Sequence, residues 1–184
     1  AGFSELITDE SLDAVTREEF KDLILNNSTT LLSIVNNILE LSELVSSYEP
    51  LPVEPTDIYG LCIEEMEILK EKILNSDILC ITEADKKEII IPTNAYLSRV
   101  IGNLLSNAAK FTEKGTITLT CQIDEDQEVV VISVTDTGIG IPTDKQEWVF
   151  ERFTKVDDFK PGTGLGLYIC RIIIQRLGGN ISID

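Results

Sequence analysis

Hydrophobic positions in the first quarter of the chain repeat with the period of a helix. Ile24, Leu31, Ile38 and Val45 recur every seven residues, with Asn27, Ile34 and Leu41 at the interleaved positions. That is the seam by which one helix packs on others in a bundle. Leu23, Leu25, Leu32, Leu39 and Leu44 flank it, so the apolar face is wider than a two-stranded zipper needs. The pattern predicts a helix up to about residue 48. Asn27 either fixes the register of the seam or sits half-exposed at the end of a bundle. A shorter apolar stretch over 3–7 reads as the tail of a preceding helix, with an acidic turn over 8–13.

Pro50, Pro52 and Pro55 then end the helical pattern, because proline lacks the amide donor and disfavours helix before it. Beyond them the spacing predicts a helix from Thr56 or Asp57 to about residue 75, with Leu61, Met66, Ile68, Leu69 and Ile73 on its apolar side. Short strands are predicted over 78–82 and 88–91 around a turn at 84–87, followed by a helix over 95–111. Two strand-like runs, 116–123 and 129–135, read as a hairpin. A last helix over 165–177 is stopped by Gly178 and Gly179, and a further strand is expected from Asn180 to Asp184. Helices and strands mix without a regular βαβ alternation. The expected fold is therefore α+β, an α/β two-layer sandwich whose mixed sheet is covered by helices on one face, preceded by a helical-hairpin segment. The expected divisions are 1–49 for the helical segment, 50–56 for a linker and 57–184 for the α/β domain.

Charge removes several function classes. The 184 residues carry 32 Asp plus Glu against 15 Lys plus Arg, a net charge of −17, and no histidine. Binding along a nucleic-acid backbone needs a basic face, so no nucleic-acid partner is expected. Without histidine there is no His-ligated zinc, no Ser-His-Asp hydrolysis and no phosphohistidine on these residues. Cys62, Cys80, Cys121 and Cys170 form no C-x-x-C pair, which reads as reduced, buried thiols in a cytoplasmic setting. No apolar run is long enough to span a bilayer and the N-terminal residues do not have the order of a signal peptide. Membrane contact is expected only through other parts of a longer parent, which could be anchored in an inner membrane.

Three stretches carry candidate chemistry. The helix over 95–111 sets Leu97, Val100, Ile101, Leu104, Leu105 and Ala108 on a core face. Asn103, Asn107 and Lys110 fall at i, i+4 and i+7 on the other side. A solvated polar stripe is the commoner meaning of such a face, yet carboxamide oxygens suit Mg²⁺ and a lysine can meet phosphate as a point charge. Asp136-Thr-Gly138-Ile-Gly140 follows a strand, where an aspartate can accept from an exocyclic amine and glycines let backbone approach a flat ring. Alone it marks only a turn. Gly162-Thr163-Gly164-Leu165-Gly166-Leu enters the last helix, where free amides and the positive helix end suit a polyphosphate. It lacks the Gly-Lys-Ser/Thr ending of a P-loop. Between the last two lies Phe150-Glu-Arg-Phe153, whose aromatic rings could simply be core anchors.

Taken in order, these stretches resemble the ATP-binding domain of bacterial sensor histidine kinases, of the GHKL type (Bergerat fold). The N box is similar to Asn103-Leu-Leu-Ser-Asn107-Ala-Ala-Lys110-Phe-Thr, the G1 box to Asp136-Thr-Gly138-Ile-Gly140, the F box to Phe150-Glu-Arg-Phe153 and the G2 box to Gly162-Thr163-Gly164-Leu165-Gly166. The resemblance implies binding of ATP and Mg²⁺. Asn107 would coordinate Mg²⁺ with Asn103 close by, and Lys110 would lie on the phosphates. Asp136 would bind the adenine amine, helped by Thr163 through water. Gly138 and Gly140 would shape the pocket floor, and Gly162, Gly164 and Gly166, with Leu165 in the same box, would bracket a lid. Lys155 would reach the γ-phosphate.

The same resemblance makes residues 2–6 the stretch just after a phosphoacceptor box and 20–48 the second helix of a dimerisation hairpin. The box itself, with its histidine and acidic neighbour, is missing, so no catalytic residue is expected here and self-phosphorylation is not expected of these residues alone. Both ends are expected to fall inside structural units of a longer parent, and a pseudokinase parent is the alternative. The implied function is transfer of the ATP γ-phosphoryl to a histidine elsewhere, for relay to an aspartate of a response-regulator receiver domain, with a homodimer formed through the N-terminal helical segment. The alternatives are an ATPase conformational clamp of the same superfamily and a non-catalytic dimerisation or response-regulator docking module.

Overall fold

A computed structural model describes residues 13–46, 49–73, 77–86, 88–157, 160 and 162–184. The short apolar stretch expected over 3–7 lies outside them. In chain order the elements are α1 (Ala14–Ser46), β1 (Glu54–Asp57), α2 (Ile58–Lys72), β2 (Ile78–Ala84), β3 (Ile90–Thr93), α3 (Tyr96–Phe111), β4 (Gly115–Asp124), β5 (Val129–Asp136) and α4 (Gly166–Arg176), with single 3₁₀ turns at Thr143–Lys145 and Trp148–Phe150. Among the described residues no helix is long and apolar enough to cross a membrane.

β2, β4 and β5 form a mixed sheet in the order β2-β4-β5, with β2 parallel and β5 antiparallel to β4. The side chains of β4 alternate as the period of a strand requires: Ile117, Leu119 and Cys121 are buried while Thr118 and Thr120 face the other side half-covered. The buried row meets Ile58, Cys62, Met66 and Leu69 of α2 and Leu97, Ile101, Leu105 and Ala108 of α3 in one apolar core. Helices thus cover one face of the sheet, as the two-layer expectation has it. A second cluster joins Val100 of α3 to Leu165, Ile169, Cys170 and Ile173 around α4, and Leu44 of α1 completes it. α3 is therefore the shared wall of both cores.

Three local features add to or differ from the expected elements. The runs over 78–82 and 88–91 do not pair with each other. β2 pairs with β4, and β3 runs antiparallel to β1 in a separate two-stranded sheet. Residues 54–56, expected within a linker, belong with Asp57 to that β1 partner; an edge strand tolerates Pro55 because its missing amide costs no interior ladder bond. Residues 180–184 run in no strand, because among the described residues no strand pairs with them; Ile181 instead packs on the α4 cluster. α4 ends as expected, with Gly178 at φ 82° and the amides of Gly178 and Gly179 closing on Gln175 and Ile174 carbonyls.

Among the described residues α1 is seated on the second core through its C-terminal half. Leu41 and Leu44 enter the second core, whereas Leu31, at 62% exposure, Ile38 and Val45 of the seven-residue repeat stay exposed. Arg176 at the end of α4 fastens this junction, donating to the carbonyls of Leu44 and Glu49.

Candidate functional site

The two faces of α3 separate as its periodicity requires. Leu97, Val100, Ile101, Leu105 and Ala108 are buried, Leu104 is half-buried, and Asn103, Asn107 and Lys110 lie half-covered on the other side. This polar face looks toward the glycine-rich turn and the N-terminal end of α4. A Cβ built on Gly166 would stand 4.0 Å from the Asn103 carboxamide, and one on Gly162 would stand 3.0 Å from Lys110 Nζ. The N-box helix and the glycine turn, some fifty residues apart in sequence, thus face each other.

Gly164 is required twice over. Its φ is 70°, and any side chain would run into the backbone of Phe153 and Thr154 at 2.7–2.9 Å. The turn is thereby pressed onto the end of the F-box segment. Thr163 accepts a hydrogen bond from the Leu165 amide at 3.2 Å, shaping the entry to α4.

Burial lowers the pKa of Lys110 below the ordinary lysine value, and the charge of Lys155 lowers it further; Asp157 opposes this and Lys160 adds to it. Its ammonium also lies 4.6 Å from the Phe111 ring centroid. Lys155 and Lys160 thus act on Lys110 with Asp157 of opposite sign among them.

Asp136 closes β5 beside the C-terminal end of α3. Its Oδ1 accepts from the Gly138 amide at 2.8 Å and from Thr112 Oγ1 at 3.3 Å. The Gly138 backbone comes so close to α3 that a Cβ would lie 2.4 Å from the Phe111 carbonyl oxygen. Gly140, by contrast, has φ 67° and open space around it.

The F-box segment divides. Phe150 is a core anchor at 2% exposure, but Phe153 is 63% exposed with φ 61°, so it anchors nothing in the core. The close approach of Gly164 forces the chain through that left-handed position. Two arginines tie the segment to α4: Arg152 donates to the Tyr168 hydroxyl at 2.6 Å and stacks on its ring, and Arg171 lies 4.1 Å over the Phe150 ring while pairing with Glu147. Sequence patterning gave no signal for these contacts; Thr112 ends the stretch quoted for the N box, but no role is read for it. Asn37 of α1 is a further residue missed: its Nδ2 donates to Thr163 Oγ1.

Among the described residues no group of three or more His, Cys, Asp or Glu side chains is placed to hold a metal ion. The metal donor that faces the glycine turn is the Asn103 carboxamide. Such a donor suits Mg²⁺, which commonly takes one or two protein oxygens and completes its shell with phosphates and water.

Comparison with known proteins agrees with this geometry. The family described as histidine kinase-, DNA gyrase B- and HSP90-like ATPases matches residues 93–184. The sensor histidine kinase RcsC of Escherichia coli strain K12 is 35% identical over 167 residues, which is 86% of this chain and 17% of that protein. Full-length ShkA in complex with AMPPNP superposes with a TM-score of 0.79 at 29% identity, over 94% of this chain and 36% of ShkA. The catalytic domain of the histidine kinase ThkA gives 0.61 at 30% identity, over 71% of this chain and 86% of that domain. ThkA in complex with the response regulator protein TrrA gives 0.76 at 27% identity, over 97% of this chain and 50% of that one. The chain belongs to the histidine kinase-, DNA gyrase B- and HSP90-like ATPases and carries the ATP-binding kinase core of a sensor histidine kinase. It spans less than a quarter of the length of the curated kinases it matches first, 11%, 23% and 17% of them.

Proposed function

We propose that this chain holds ATP with Mg²⁺ between the polar face of α3, the end of β5 and the glycine turn before α4, and offers the γ-phosphoryl to a histidine. That histidine lies outside these 184 residues, which contain none. The observation that carries the reading is the approach of Lys110 Nζ to Gly162, which sets a cation against the free amides at the head of α4. Asn107, with Asn103, would hold the metal, and Asp136 would take the adenine amine on its free Oδ2. Mg²⁺ bound there would neutralise charge on the phosphate oxygens. The chain's own part is positioning and electrostatics, which is most of what phosphoryl transfer asks of a protein. Gly162, Gly164 and Gly166 would frame a lid in which Lys155 meets the γ-phosphate.

In this reading residues 57–184 are the ATP-binding domain and 1–49 part of a dimerisation hairpin. The exposed Leu31, Ile38 and Val45 support a homodimer through α1, because a single helix face of this kind is left without cover. The likeness to ThkA bound to TrrA supports a response-regulator receiver domain as phosphoryl acceptor from the histidine. The setting is cytoplasmic. Calorimetry tests the metal role: ATP should bind at least about tenfold more tightly with Mg²⁺, and Asn107→Ala should abolish that gain. Radiolabelled ATP should leave no acid-labile phosphate on the chain alone. A Mg²⁺ gain unaltered in Asn107→Ala would overturn the assignment of the metal ligand.

A further inference from the structure

Thr112 is a buried hydroxyl at a junction. It caps the C-terminal end of α3, where its amide donates to the Ala108 carbonyl at 3.0 Å, and the residue is only 3% exposed. A buried hydroxyl needs a partner, and this one is Asp136 Oδ1 at 3.3 Å. The Gly138 amide reaches the same oxygen at 2.8 Å. Both donors therefore converge on Oδ1. The two donors fix the rotation of the carboxylate, and Oδ2 is the oxygen left to accept from a ligand. The backbone of Gly138 is wedged against the Phe111 carbonyl, so this end of β5 cannot drift from α3 without also breaking the Thr112 contact.

We propose that Thr112 is a positioning residue for base recognition: by holding Oδ1 it aims Oδ2 of Asp136 at the exocyclic amine of adenine. This rests on the reading that Asp136 binds the adenine amine. A residue that only capped α3 would affect every nucleotide alike. One that aims Oδ2 affects only a base that donates an amine proton to it.

Calorimetry on the full chain separates the two, with ATP and with inosine triphosphate, which carries a carbonyl oxygen in place of the 6-amine. Thr112→Val keeps the shape and removes the donor. It should weaken ATP binding about fivefold to tenfold and leave inosine triphosphate within about twofold. Thr112→Ser should restore most of the ATP affinity. In an Asp136→Ala background Thr112→Val should add no further loss. Equal weakening of both nucleotides, or an unchanged ATP affinity in Thr112→Val while Asp136→Ala loses it, would overturn the positioning role and leave the adenine reading standing. An ATP affinity unchanged by Asp136→Ala would overturn the adenine reading itself, and the proposal with it. Should Thr112→Val fold poorly by circular dichroism, the Thr112→Ser and Thr112→Ala pair carries the same comparison, with loss in Thr112→Ala alone supporting the proposal and equal loss in both opposing it.

Discussion

Asn37 of α1 reaches across 126 residues of sequence to Thr163, donating from Nδ2 to the threonine hydroxyl at 3.3 Å. Its Oδ1 in turn accepts from Arg99 Nη2 at 2.8 Å, and Arg99 pairs with the buried carboxylate of Glu40 one turn along α1. A helix whose apolar repeat is largely exposed is thus seated on the nucleotide-binding unit through a short polar row beside Leu41 and Leu44. Both Asn37→Ala and Arg99→Ala should therefore speed amide exchange over 37–46 by about tenfold or more. Thr30→Ala, which loses only a local bond to the Asn26 carbonyl, should leave those amides unchanged.

The Glu40 carboxylate gives this seat a pH dependence. Glu40 is 8% exposed, and burial raises its pKa above the ordinary glutamate value; Arg99 opposes the rise without cancelling it. A raised folded pKa means the folded state binds the proton more readily, so this contribution to stability is present at acid pH and lost as pH rises through the shifted value. Glu40→Gln should melt higher than the wild type at about pH 7.5, with the gap closing toward about pH 4.5. A variant less stable than wild type at neutral pH would reverse the sign.

Gly164 and Gly140 both have positive φ but differ in surroundings. Gly164→Ala meets the Phe153 and Thr154 backbone, whereas Gly140→Ala meets nothing within 4 Å. Gly140→Ala should cost about 1 kcal/mol of stability from conformation alone. Gly164→Ala should cost about 2–3 kcal/mol and move the turn, lowering ATP affinity as well. Denaturant melts and nucleotide titration of the two variants check the contrast.

Lys110 should take up a proton when ATP binds. Burial and the Lys155 charge hold its pKa below the ordinary lysine value in the free protein, and phosphate oxygens would raise it again. At alkaline pH calorimetry in buffers of different ionisation enthalpy should register net proton uptake on ATP binding, and Lys110→Met should remove most of it. An identical buffer dependence in the variant would show that Lys110 does not face the phosphates.

α3 was legible in the sequence almost to the residue, because a strongly two-faced helix writes its burial into its spacing. β4, β5 and the glycine stop of α4 were legible for the same local reason. Strand pairing was not: β1 with β3 and β2 with β4 are non-local choices, and short apolar runs carry no mark of their partner. Phe153 read as a core anchor because it is aromatic, yet a glycine eleven residues on fixes its exposed, left-handed backbone. The stretches quoted for the nucleotide were visible as composition, but the contacts of Asn37 and Thr112 were not. A single Asn on a helix and a Thr after one have many meanings until the fold supplies their partners.

The most direct test of the account is titration of the 184-residue chain with ATP and Mg²⁺, alongside Asp136→Ala. The account predicts saturable, one-to-one binding by the wild type, lost or weakened at least about tenfold in Asp136→Ala. No heat and no displacement of a fluorescent nucleotide by ATP, from a chain that circular dichroism shows folded, would contradict it.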